Sequence, residues 1–281
     1  LKALTYHVFL EDLASHGWIV AALDPPYNPR AMRMPDGRVL GNLKPEERGW
    51  PQPRNAQEDE RFYKERIWHW SRDISFVIDQ LTALDKRTGQ FAGRLDLQRG
   101  VGVYGHSRGG QVAATVRILD PRVRGGINID GMVGDNALLP ARQDDTDLGA
   151  QPFLWLQKPL PPPPTDEQLQ QMRRTRAEFE TEFERIMNKW KSQLGRIDGG
   201  ALRVTLNRPG IGHIDFSDEP YWDGTMTDAN RAGRVRTIGE ARAWVRAFFE
   251  GTVRGDWENL KRLTAEKSSE VVVHTFGKLW Q

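Results

Sequence analysis

The feature that most constrains this chain is the setting of Gly105-His106-Ser107-Arg108-Gly109, with Gly110 directly after it. Before it stands Val101-Gly102-Val103-Tyr104, a short apolar run suited to a strand buried on both faces. After it, residues 108–119 read as a helix. A serine between glycines on a strand-to-helix turn is a specific device. The tight turn lifts the hydroxyl clear of the sheet, and a Cβ at the flanking glycines is expected to clash with it. The start of the helix also presents free N–H groups to developing negative charge. A parallel sheet flanked by helices is the architecture that supplies such a turn.

The rest of the chain has the matching alternation. Apolar runs at 18–23, 123–129, 153–156 and 202–206 read as further strands, and 271–273 as a possible one. Residues 3–16, 58–88 and 230–250 carry a helical period, with Gly17 ending the first. Residues 25–57 are rich in Pro, Gly, Asn and charge and read as an irregular excursion with a hairpin near Asp36-Gly37. The expected fold class is α/β, with a mostly parallel central sheet in a single domain over 1–281.

One stretch interrupts the alternation. Leu160-Pro161-Pro162-Pro163-Pro164 is a stiff spacer that feeds Thr165-Asp166-Glu167, a good helix start. Residues 166–194 then read as one long amphipathic helix, striped by Leu169, Met172, Phe179, Phe183, Ile186, Met187, Trp190 and Leu194. This insertion at 159–194 stands where a cap over a site could lie, although a helix packed on the sheet is the simpler reading. Its polar face mixes Glu and Arg, which weighs against a membrane-surface role.

Composition excludes several classes. Forty basic against 38 acidic residues give a net charge of only +2, so no nucleic-acid partner is expected. The absence of cysteine rules out disulfides, thiolate metal sites and a cysteine nucleophile, and leaves the compartment open. No apolar run is long enough for a transmembrane helix. The chain does not begin with Met and shows no signal peptide, so a removed leader or an upstream start is expected.

A serine hydroxyl needs a base, usually a histidine oriented by a carboxylate. On this kind of sheet the order along the chain is Ser, acid, His. Only His213 and His274 follow Ser107. His274 lies beside three valines and reads as structural. His213 ends the glycine-rich loop Asn207-Arg208-Pro209-Gly210-Ile211-Gly212-His213, past a strand, where ligand chemistry gathers in open α/β sheets. Asp130 stands at the tip of Gly126-Ile127-Asn128-Ile129-Asp130-Gly131. The other usual place for the acid, after the strand at 153–156, reads Gln157-Lys158-Pro159 and offers no carboxylate. The rivals are Asp135, Asp215 and Asp218, the last two rather close to His213 in sequence. A turn-capping role is the bland alternative for Asp130.

Four segments resemble the plasma-type (isoform II) platelet-activating-factor acetylhydrolases and their bacterial relatives, which overlap with dienelactone-hydrolase-like proteins. They are Asp12-Leu13-Ala14-Ser15-His16-Gly17-Trp18-Ile19-Val20-Ala21-Ala22, the elbow from Gly105 to Gly110, Asn128-Ile129-Asp130-Gly131-Met132, and Gly212-His213-Ile214-Asp215-Phe216-Ser217-Asp218. The resemblance implies an α/β-hydrolase fold and a catalytic triad of Ser107, Asp130 and His213. Gly105, His106, Gly109 and Gly110 would form the elbow. It implies a serine ester hydrolase acting on a small-molecule ester through an acyl-enzyme, with no metal and no organic cofactor. The Arg108 backbone N–H would be one oxyanion donor. The family's second donor comes from a His-Gly-x-Gly-type loop, which by this likeness lies near or upstream of Leu1, together with N-terminal strands. The competing readings are an amidase or peptidase using the same triad, and a catalytically impaired scaffold that binds. Oligomeric state is not legible.

Overall fold

Five runs of the chain assemble side by side because each is apolar on one or both faces. The computed structural model describes residues 3–26, 31–34, 36–41, 56–131, 148–266 and 268–280. A small hairpin pairs β1 (Ala31–Arg33) with β2 (Val39–Gly41), turning through Asp36-Gly37 as the sequence predicts. The main sheet contains β3 (Val101–His106), β4 (Val123–Ile129), β5 (Phe153–Gln157), β6 (Ala201–Leu206) and β7 (Val271–Phe276), in that spatial order. The first four run parallel, whereas β7 returns antiparallel to β6. His274 lies exposed on β7, opposite Arg203.

Helices cover both faces. On one side α2 (Ala56–Lys86) packs on α3 (Arg108–Leu119), with Ile78 against Val116 and Val123. Further along that face Trp190 and Leu194 join Phe153 and Trp155 of β5. The opposite face buries Ile127, Ile129, Leu154, Leu156 and Val204 under α1 (His7–Ser15), α7 (Asp228–Phe249) and α8 (Glu258–Ala265). Along β5 the side chains alternate between the two clusters, as strand geometry requires.

Two expectations need correction. The run Trp18 to Leu23 is not a strand buried on both faces: among the described residues it has no ladder partner, and Ile19 is 60% exposed. Apolar composition alone does not make a strand, because the backbone needs a neighbour to bond to. Trp18 and Val20 instead pack against the core, with Trp18 beside the Phe249 ring.

Residues 166–194 are not one helix. The chain forms α4 (Asp166–Gln171), breaks, and restarts as α5 (Arg176–Gly195). Arg173 takes a left-handed φ of 55° at the break, and Thr175 opens α5 with a reciprocal capping box to Glu178. The apolar stripe is therefore split. Leu169, Trp190 and Leu194 are buried, whereas Met172 and Phe183 are largely exposed. The remaining helix, α6 (Glu219–Trp222), follows the His213 loop.

Candidate active site

Parallel strands place their carboxyl ends along one edge, and the predicted site residues collect there. Ser107 leaves β3 at φ 58° and ψ −121°, then α3 begins at once. Its N–H donates to the Ile129 carbonyl at 2.8 Å, which pins the turn to the end of β4. Asp130 follows Ile129 with φ 45°, and its N–H donates to the Leu156 carbonyl at 2.7 Å. Among the described residues only Ser107, Asp130 and Arg173 are non-glycine residues with positive φ. Such conformations cost of order 1–3 kcal/mol each and persist where surrounding structure imposes them. Two of the three fall on residues the sequence singles out for chemistry.

Two glycines are required by close approach. A Cβ on Gly105 would lie 2.3 Å from the Gly109 carbonyl carbon and oxygen. A Cβ on Gly110 would lie 2.2 Å from Asn128 Oδ1. Gly109 itself differs from the expectation, since a Cβ there meets nothing within 4 Å. The turn needs the Gly109 backbone near Gly105, and it does not need Gly109 to lack a side chain.

His213 begins a short 3-10 turn beyond β6. Its Nδ1 lies 2.6 Å from Asp130 Oδ2. The other carboxylate oxygen of Asp130 accepts the Lys158 N–H at 3.1 Å. The Asp130 side chain is 9% exposed and that of His213 43%. With Nδ1 engaged by the carboxylate, Nε2 is the ring atom left to exchange a proton. Ser107 stands at the end of the neighbouring strand, and no hydrogen bond joins its hydroxyl to His213 among the described residues. Asp135 lies outside the described residues, as do Leu1 and Lys2. The Arg108 backbone opens α3 directly after Ser107.

The site has partners that sequence reasoning did not find. The His106 ring packs 4.2 Å from the His213 ring, centroid to centroid. Its Nδ1 lies 2.7 Å from the Tyr6 hydroxyl, while its buried Nε2 has no protein partner among the described residues. Burial pushes the His106 pKa down to about 3, with the neighbouring His213 adding to the shift. Burial also raises the Tyr6 pKa, so the hydroxyl that meets His106 Nδ1 stays protonated.

Asp215 and Asp218 hold the loop. Asp215 Oδ2 accepts the Gly212 N–H at 2.7 Å, and its Oδ1 pairs with Arg234 Nε at 3.0 Å. Asp218 donates its N–H to the Thr5 carbonyl at 2.7 Å and accepts from the Val8 N–H at 3.4 Å. Asn128 is wholly buried, and its Oδ1 accepts the Gly131 N–H at 2.7 Å. It and Arg124 are the two polar side chains of β4, and Asn128 is the buried one.

A metal requirement can be tested on the same residues. His106, Asp130 and His213 each offer one ligand atom, all within 4.8 Å of one another. Asp130 and His213 already satisfy each other, and the Tyr6 hydroxyl occupies His106 Nδ1. The set therefore fits a hydrogen-bonded acid–base pair better than an open ligand sphere. No described helix is long and apolar enough to cross a membrane.

No family model matches the chain, and no curated protein matches it. Among solved structures it is similar to a ferulic acid esterase from Streptomyces cinnamoneus. The TM-score is 0.62 at 23% identity, over 97% of this chain and 70% of that one. At that identity the likeness is one of fold, and the fold is that of the α/β-hydrolases.

Proposed function

We propose that the protein is a serine hydrolase of carboxylic esters, with Ser107 as nucleophile, His213 as base and Asp130 as orienting acid. One observation carries the reading: the 2.6 Å contact between His213 Nδ1 and Asp130, at the strand end beside a serine held in a strained strand-to-helix turn. A carboxylate on Nδ1 selects the tautomer whose Nε2 can take the serine proton.

The reaction then runs in two steps. Ser107 Oγ attacks the ester carbonyl as His213 Nε2 takes its proton. The Arg108 N–H and a second donor stabilise the oxyanion. Imidazolium His213 protonates the leaving alcohol as the carbon–oxygen bond breaks. Water, deprotonated by His213, then attacks the acyl-enzyme, and the acid leaves as the carbon–Oγ bond breaks and His213 returns the proton to Ser107 Oγ. Asp130 stabilises the imidazolium in both steps without itself taking the proton.

The fold hosts many activities, so the site and not the architecture supports this reading. The ferulic acid esterase is named for one ester, and the four motif segments resemble acetylhydrolases. Both likenesses favour esters over amides, with the acyl group left to experiment. The test is hydrolysis of p-nitrophenyl acetate and a longer-chain ester by the protein and by Ser107→Ala, with fluorophosphonate labelling alongside. Turnover and labelling that vanish in Ser107→Ala are expected. Labelling without turnover of esters, but with cleavage of matched amides, would move the assignment to an amidase. Absence of labelling would leave a binding scaffold.

A further inference from the structure

Arg108 carries a feature that ester hydrolysis alone does not use. Its backbone opens α3, but its side chain is exposed and turned toward α2. The guanidinium carbon lies 5.6 Å from the centre of the Tyr63 ring and 5.8 Å from that of Trp70. Tyr63 is held in turn, its hydroxyl donating to Gln111 Oε1. Two rings therefore orient the cation. One of its donors bonds the Tyr63 hydroxyl, and neither that bond nor the rings neutralise the guanidinium, which has five N–H donors in all.

Several other arginines are engaged by carboxylates, whereas Arg203 and Arg254 lie over tryptophan rings without a carboxylate partner among the described residues. Arg122 pairs with Asp79 and Asp120, Arg234 with Asp215, and Arg246 with Asp12. Arg108 has no carboxylate partner among the described residues. Asp130, the carboxylate of the site, already uses both oxygens, on His213 and on the Lys158 N–H. Among the described residues the result is a guanidinium oriented by two rings, without a carboxylate partner, one residue from Ser107.

We propose that Arg108 is a specificity-determining residue that recognises a carboxylate on the substrate, so that the preferred esters are anionic, with the carboxylate a side chain's length from the scissile carbonyl. This rests on the reading of Ser107 as nucleophile. A planar guanidinium matches a carboxylate in a two-point, charge-assisted bond, which a lysine in its place would not reproduce. Prior orientation by Tyr63 and Trp70 lowers the ordering cost of forming it. Monoesters of short dicarboxylic acids carry the charge on the acyl side, and acyl esters of hydroxy acids carry it on the alcohol side.

The experiment compares charged substrates with uncharged isosteres. Monoethyl succinate is set against ethyl succinamate, and O-acetylglycolate against O-acetylglycolamide. The measured quantity is the ratio of kcat/KM within each pair, so a general change in rate cancels. A ratio of about tenfold or more in at least one pair is expected, the scale of a charge-assisted hydrogen bond. That ratio should approach one in Arg108→Gln, which keeps the main-chain N–H, and fall between the two in Arg108→Lys. A ratio near one in the unaltered protein, or one retained in both variants, overturns the assignment. If Ser107 is labelled by fluorophosphonate and the ratio is one, only the anion reading falls. If neither charged nor neutral esters turn over and Ser107 is not labelled, both readings fall together.

Discussion

The imidazole of His106 lies 4.2 Å from that of His213, with the two rings tilted by 35°. One ring is buried and neutral, and the other is half-open and bonded to a carboxylate. The groups that face His106 are Tyr6, Asp130 and His213. A second positive charge here would oppose the imidazolium that His213 becomes in the proposed reaction, so a base beside a neutral ring has the better environment.

This pairing sets a pH dependence of stability. Unfolded histidine titrates near 6.5, whereas folded His106 does so at about 3. Between those values the unfolded chain binds a proton that the folded chain refuses, so stability rises with pH. The contribution is complete above about pH 6.5 and is lost as pH falls toward about 3, by up to about 1.4 kcal/mol per pH unit. Urea denaturation across this window should show a shallower slope in His106→Phe, which keeps a ring against His213. An unchanged slope would mean that another group dominates acid unfolding.

Asp130→Asn should leave the turn intact, because Asn tolerates left-handed backbone well. The amide cannot hold the His213 tautomer as the carboxylate does. A loss in kcat of about a thousandfold to ten-thousandfold is expected, with KM and thermal stability little changed. A loss under tenfold would direct attention to another carboxylate.

The two glycines of the G-x-S-x-G motif should respond differently to alanine. Gly105→Ala meets backbone at 2.3 Å and should fail to fold or lose several degrees in Tm. Gly109→Ala meets nothing and lies in the first turn of α3, so its Tm should hold or rise. Thermal melts of both variants decide this, and equal destabilisation would contradict the geometry.

Asp215 and Arg234 form a buried pair under the His213 loop, with side chains 2% and 18% exposed. Removing one partner strands the other, at about 3–5 kcal/mol for a fully buried pair. Asp215→Asn and Arg234→Gln should each destabilise the fold and lower kcat through the loop. The double variant should cost less than the sum of the two, measured as a double-mutant cycle in urea.

What the sequence made legible follows from how local each signal is. Strands β3 to β6 are short apolar runs bounded by glycine, proline or charge, and their ends are found within a residue or two. Ser107 and His213 are visible because a nucleophile turn and a glycine-rich loop are local patterns. The break between α4 and α5 also has a local signature, Thr175-Arg176-Ala177-Glu178, but it is submerged in a run whose helical period continues through it. The segment after Gly17 misleads because its composition cannot state whether a neighbour exists. Tyr6 beside His106, and Asp218 beside Val8, join residues 100 and 210 positions apart, and no local pattern announces them.

That last separation bears on how the molecule is made. Helix α1 leaves the ribosome well before its anchor Asp218 and its covering helix α7. At ordinary synthesis rates the 210 residues between Val8 and Asp218 take about 10–40 s to emerge. Throughout that interval Phe9 and Leu13, almost wholly buried in the finished protein, lack their docking surface. The segment that supplies Tyr6 to the site is thus made long before the helix it docks against, and the nascent chain must keep it soluble until α7 arrives.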